Sequence, residues 1–131
     1  MPKFGSRSLS RLTSCDERLQ RVLNEVIKHV DCSVLCGHRG EHEQNRLMLE
    51  GKSQLSYPNS KHNTMPSVAV DVAPYPIDWN DLNRFRRFAG FVEGVAAAQG
   101  VKLRWGGDWD RDWDMKDNRF NDLPHFELVE E

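Results

Sequence analysis

Ser67-Val68-Ala69-Val70-Asp71-Val72-Ala73 is the stretch on which the fold turns. Val68, Val70 and Val72 alternate with Ala69, Asp71 and Ala73, the two-residue period of a β-strand. A carboxylate in the middle of a valine-rich strand is costly to bury unless something meets it. Ala69 and Ala73 flank Asp71 on its own face, and their small size leaves room in front of the carboxylate for a bulky group such as a metal ion. The simpler reading of Asp71 taken alone is a strand with that face in water.

Outward from this strand, helical and extended segments alternate. Ser14 and Glu17 have the spacing of a capping box. Leu19, Val22, Leu23, Val26, Ile27 and Val30 then recur at helical spacing and predict an amphipathic helix over 15–30, after a polar lead-in at 1–12. Residues 33–36 read as a short strand closed by Gly37. A polar helix is expected over 41–50, stopping at Gly51, and residues 52–66 read as a loop. A third helix starts near Asp78, with Asp81 in its first turn. It buries Leu82, Phe85, Phe88, Ala89, Val92 and Ala96, and ends at Gly100. Val101, Leu103 and Trp105 alternate with Lys102 and Arg104 in a strand with one wet face. Residues 106–124 are an Asp- and Trp-rich loop, and 125–129 form a last strand. The mixture predicts an α+β fold, a small and mainly antiparallel sheet packed with about three helices.

The 131 residues suit a single domain. Hydrophobic residues at 38% and charged residues at 29% mark a globular chain. A net charge of −2 argues against nucleic-acid binding, which needs a basic surface. No apolar run approaches a membrane span. Residues 1–10 lack the apolar core of a secretory signal. Cys15, Cys32 and Cys36 have no framework spacing and fit a reduced cytoplasmic origin.

Two histidines join Asp71 as metal-ligand candidates. In His125-Phe126-Glu127-Leu128-Val129, Phe126 and Leu128 would face the core, leaving His125 and Glu127 on the other face. His62 lies in the loop before the Asp71 strand. His, Asp and His form a sensible catalytic zinc set, with three protein ligands at about 2.0–2.2 Å and a fourth position for water. Asp122 lies three residues before His125, close enough to serve as general base, and Arg39 would stabilise an oxyanion. Spacing alone does not bring these distant residues together.

The segments Ser60-Lys61-His62 through Val68-Ala69-Val70-Asp71, and Asp122-Leu123-Pro124-His125, resemble two motifs of the LAS-type zinc peptidases. These are Ser-x-His-x-x-Gly-x-Ala-x-Asp and Glu/Asp-x-x-His. The group contains D-alanyl-D-alanine carboxypeptidases, D-Ala-D-Ala dipeptidases and phage L-alanyl-D-glutamate endolysins. Gly37-His38-Arg39 resembles its Gly-x-Arg. Phe4-Gly5, the 9–23 stretch, Glu43-Gln44, Asp71-Val72-Ala73-Pro74 and Leu103-Arg104-Trp105-Gly106 resemble the endolysin branch, so the likeness spans nearly the whole chain. This chain departs by two extra residues between His62 and Asp71, with Pro66-Ser67 in place of the glycine, and by Cys36 where relatives often carry Gln.

The resemblance implies a LAS/hedgehog-like fold with one catalytic Zn2+ held by His62, Asp71 and His125. Asp122 is implied as acid/base, and Arg39 as the group on the substrate carbonyl. Ser60 and Trp105 are the expected substrate-binding residues, Trp105 and Trp109 either walling the cleft or packing in the core. Asp rather than Glu at 122 tilts the expected activity toward hydrolysis of the L-alanyl-D-glutamate bond of peptidoglycan stem peptides. D-Ala-D-Ala cleavage and a non-catalytic peptidoglycan-binding relative are the alternatives. Residues 1–131 would be one catalytic domain, a monomer without a separate wall-binding module. It would be made in the host cytoplasm without a signal peptide, would reach the wall after holin-type release, and would cause lysis.

Three other patterns compete. His38-Arg39-Gly40-Glu41-His42 matches H-x-x-E-H, but Gly40 costs about 1 kcal/mol in the one helix that motif needs. Cys32, Cys36, His38 and His42 lack the long interval of a structural zinc site. A calcium loop from Asp108 would need Gly and Glu at Trp113 and Arg119, and one from Asp110 meets Met115 and Asn121. The default there is a solvated acidic loop, with a loose divalent-cation site as the alternative.

Overall fold

A computed structural model describes residues 2–114, 116 and 121–130. Met115 and Arg119, part of the calcium-loop comparison, lie outside the described residues. The elements run α1 (Ser6–Thr13), α2 (Glu17–Val26), β1 (Cys32–Cys36), α3 (Glu41–Leu49), a 3-10 turn (Lys61–Asn63), β2 (Ala69–Pro74), α4 (Leu82–Ala98), β3 (Leu103–Gly106) and β4 (Asp122–Leu128). The strands form one antiparallel sheet in the order β1-β2-β4-β3. The α+β expectation holds, with four helices among the described residues where about three were expected.

The sheet has one apolar and one chemical face. Val34, Val70, Val72, Leu103, Trp105, Phe126 and Leu128 join Leu19, Val22, Leu23 and Val26 of α2 and Phe88, Ala89, Val92 and Ala96 of α4 in one core cluster. Each valine or leucine buried this way contributes roughly 1.5–3 kcal/mol. The opposite face carries Asp71, His125, Glu127 and Arg104. Asp71 pairs directly with His125, Ala69 with Glu127, and Arg104 with Glu127. The register of three strands therefore gathers the polar side chains on one patch.

Several boundaries differ from those expected. The polar lead-in is helix α1. Only Leu12 of that helix is buried, so its periodicity is faint. The helix instead covers the edge of the sheet: Ser8 Oγ accepts from the Val34 amide at 3.0 Å, and Arg11 Nη1 donates to the Val34 carbonyl at 3.1 Å. Helix α2 starts later than predicted. Asp16, not Ser14, caps it by accepting from the Arg18 amide, while Ser14 Oγ donates to the Arg11 carbonyl and accepts from the His38 amide. Helix α4 begins at Leu82 with Asp81 as its cap. β4 begins at Asp122, three residues before the predicted start. The face of β2 that carries Asp71 is not in water, since Ala69 and Ala73 are fully buried.

Candidate metal centre

Three side chains from separate parts of the chain meet. His62 Nε2 lies 3.1 Å from Asp71 Oδ1 and 3.3 Å from His125 Nδ1, and His125 Nδ1 lies 3.2 Å from Asp71 Oδ1. β2 and β4 supply Asp71 and His125 as opposed residues. The 3-10 turn supplies His62: Ser60 Oγ accepts from the His62 amide at 3.2 Å, and Asn63 Oδ1 accepts from the Ser60 amide at 3.0 Å, a reciprocal cap. The two extra residues before Asp71 do not disturb this. Thr64, Met65 and Pro66 bulge outward, exposed, while Ser67 is buried and its hydroxyl donates to the Ala69 carbonyl at 2.6 Å.

The donor set fits a metal ion. A tetrahedral ion with bonds of about 2.0–2.1 Å has ligand–ligand edges of about 3.3 Å, and the edges here match. The outward nitrogens of both imidazoles are engaged. His62 Nδ1 donates to the Gly37 carbonyl at 2.8 Å, and His125 Nε2 donates to Glu127 Oε1 at 2.8 Å. In its neutral form each ring is thereby held in the tautomer whose free lone pair points at the shared centre, the arrangement that supports metal-bound histidines. Arg104 Nη1 lies 3.3 Å from Glu127 Oε2 and completes an Arg104–Glu127–His125 relay.

Charge follows geometry. Burial opposes ionisation of Asp71, but the neighbouring His62 charge and hydrogen bonds from both histidines outweigh it, and its carboxyl is held well below the usual carboxylate range. Burial also works against protonated His62, yet Asp71 beside it raises the pKa to about 10. His125 is raised in the same way to about 9, against burial, by its bonds to Asp71 and Glu127. Asp122 is pushed up, first by burial and then by the charge of Asp71. Its Oδ2 stands 3.9 Å from His125 Nδ1, beside the cluster.

The cluster opens into a cleft of about 810 Å³, lined among others by Leu35, Arg39, Leu55, Ser60, Trp79, Trp109 and Asp122. Arg39 is 9% exposed. Its Nη2 lies 3.5 Å from Asp71 Oδ2 and its Nη1 donates to Gln44 Oε1 at 2.9 Å, while its Nε has no hydrogen-bond partner among the described residues. Gln44 is fully buried in α3 and also donates to the Leu55 carbonyl and Ser53 Oγ. Sequence reading placed Gln44 only as part of the resemblance. Its position five residues after Arg39 across a helix start carries no simple spacing signal.

The two tryptophans separate. Trp105 is 4% exposed, packs in the core and donates its indole N–H to the Leu123 carbonyl at 2.7 Å, so core packing describes it and it lies outside the cleft lining. Trp109 lines the cleft, its ring 5.3 Å from that of His125. The competing patterns come apart as well. Gly40 caps α3, so His38 precedes the helix that holds His42, and the inverted motif has no shared helix. The three cysteines are free. Asp108, Asp110 and Asp112 bring carboxylates within 4.8 Å of one another, but Asp108 is 8% exposed, not solvated, and accepts from the Trp113 and Asp112 amides.

Known proteins resemble this chain over nearly its full length. The family described as phage L-alanyl-D-glutamate peptidase matches residues 1–129. The L-alanyl-D-glutamate peptidase of Escherichia phage T5 is 34% identical over 136 residues, covering 97% of this chain and 98% of that protein. The crystal structure of the Serratia marcescens L-Ala D-Glu endopeptidase ChiX superposes with a TM-score of 0.75 at 27% identity, covering 97% of this chain and 90% of that one. With a family match over nearly its full length and a relative at this identity, the chain belongs to the phage L-alanyl-D-glutamate peptidase family.

Proposed function

We propose that this protein hydrolyses the amide between L-alanine and D-glutamate in peptidoglycan stem peptides, with one zinc ion held by His62, Asp71 and His125. The single observation that carries the zinc assignment is the near-equilateral triangle of three ligand atoms, each histidine locked from behind. Bound there, zinc supplies Lewis-acid polarisation and acidifies a water.

The chain's own residues do the rest. Asp122, whose pKa burial raises from its ordinary value, takes the proton of the attacking water and returns it to the departing amine of D-glutamate. Arg39 presents its guanidinium to the scissile carbonyl oxygen and balances the charge that develops there. Gln44 and Asp71 hold that guanidinium from either side, so it needs no reorganisation during the reaction. Ser60 lies buried in the cleft wall and Trp109 lies beside the His125 ring, and both are placed to meet the peptide.

The reading extends to a monomer that meets the wall after release through a membrane pore formed by another protein. No described helix is long and apolar enough to cross a membrane itself.

The test is digestion of purified peptidoglycan with mass spectrometry of the new termini. New L-alanine carboxyl and D-glutamate amino ends are expected, and release of D-alanine or no cleavage in zinc contradicts the reading. Asp122→Asn should keep fold and zinc and lose roughly 10²- to 10⁴-fold in rate. A variant as active as the parent removes Asp122 from the chemistry.

A further inference from the structure

The cleft that holds the His62–Asp71–His125 cluster is also lined by Trp79, in the loop between β2 and α4. This indole is 54% exposed, yet it is firmly seated. One face lies on Phe85, with ring centroids 5.4 Å apart and planes 15° from parallel, and Phe85 is 1% exposed. The loop is braced on both sides of Trp79. The Arg84 guanidinium donates to the carbonyls of Tyr75 and Pro76, the Asn80 amide donates to Asp78 Oδ1, and Asp81 caps α4. The result is a flat aromatic surface, already ordered, on the wall of a cleft whose lining also holds Trp109, Leu35, Leu47 and Leu55 beside its charged and polar groups. A surface ordered before binding avoids most of the entropy lost on seating a ligand.

The substrate chemistry says what such a surface would meet. In peptidoglycan the alanine of the cleaved bond is not free at its nitrogen. It is acylated by the lactyl ether of an N-acetylmuramic acid ring. One extended residue spans about 3.3–3.6 Å, so the sugar must lie within a few such lengths of the scissile bond. A pyranose presents a face of C–H groups that packs flat on an aromatic ring, burying apolar area while its hydroxyls stay in water. We propose that Trp79 is a stacking platform for the muramic acid ring, a sugar subsite of the cleft that favours stem peptides still attached to the glycan strand. The proposal rests on the hydrolase reading above.

The test uses two substrates: a disaccharide muropeptide, and the sugar-free stem tripeptide with its alanine nitrogen acetylated. In the zinc-loaded protein, Trp79→Ala should lower kcat/KM on the muropeptide about tenfold, the factor that roughly 1.4 kcal/mol makes. It should leave the sugar-free peptide unchanged, which also shows that the variant folds, and Trp79→Tyr should restore most of the loss. Equal loss on both substrates, or no loss on either, overturns the subsite. Calorimetric binding of the muropeptide to Asp122→Asn, with and without Trp79→Ala, separates this failure from that of the hydrolase reading. Unchanged affinity sinks the sugar platform, whereas a parent that binds through Trp79 yet never cleaves sinks only the hydrolysis.

Discussion

Asp71 is the residue on which both histidines converge, and its carboxylate controls how the cluster exchanges protons for metal. In the metal-free protein His62 and His125 are raised from 6.5 to about 10 and about 9. Metal ligation needs both imidazoles neutral. Zinc binding at pH 7 should therefore release at least one proton, and zinc affinity should climb from pH 7 to 9. Calorimetry in buffers of different ionisation heat checks this, and a proton-neutral reaction contradicts it. The sign reverses for the metal-free fold. A histidine whose folded pKa is raised stabilises the fold fully below its unfolded value and loses that contribution as pH rises through the folded value. The unfolding midpoint of metal-free protein should fall as pH is taken from about 6.5 toward 10. Glu127 works one step back, since burial opposes its charge but His125 and Arg104 keep it ionised. Glu127→Gln should weaken zinc about 10- to 100-fold with the fold intact, read by competition with a chelating dye.

At the scale of elements, the site depends on how β3 meets β4. The register slips between Trp105 and Gly106, so Gly106 stands against Asp122. A Cβ on Gly106 would collide with the Asp122 backbone and its Cβ. Gly106→Ala should destabilise by about 1–3 kcal/mol in urea titration and also lower kcat by displacing Asp122. A variant of normal activity would show that Asp122 has no fixed position to lose. Elements that announce themselves by burial were legible in the sequence: the valines of β2, the stripe of α4, and the core-facing Phe126 and Leu128 of β4. Elements held by backbone contacts were not. Helix α1 buries one leucine and attaches to Val34 through Ser8 and Arg11, which no hydrophobic period records. Ser14 has the spacing of a cap but does not act as one, because its hydroxyl turns back to the Arg11 carbonyl and across to the His38 amide. The proposed ligand set, His62, Asp71 and His125, rests on residue chemistry and family likeness, and the structure brings the three side chains together. Their support could not: the Arg104–Glu127 pair depends on strand register, and the His62–Gly37 bond on a loop path.

Across the whole molecule, the core and the cluster occupy opposite faces of one sheet. Leu19, Val22, Val70, Val92 and Phe126 pack together in the hydrophobic core, on the face of the sheet away from Asp71 and His125. Metal removal should therefore leave a folded protein. Chelator-treated protein is expected to keep its far-ultraviolet circular dichroism and a cooperative transition, with a lowered Tm that rises again on adding zinc, by an amount that grows with zinc concentration. Loss of the cooperative transition would mean that zinc holds the fold, as it does in small zinc domains. The most direct test of the centre is zinc K-edge absorption of the loaded protein. It should show only nitrogen and oxygen neighbours at about 2.0–2.2 Å, two of them imidazoles, with the imidazole signal falling in His62→Ala and in His125→Ala. A sulfur neighbour at about 2.3 Å, or an imidazole signal indifferent to both substitutions, would place zinc elsewhere.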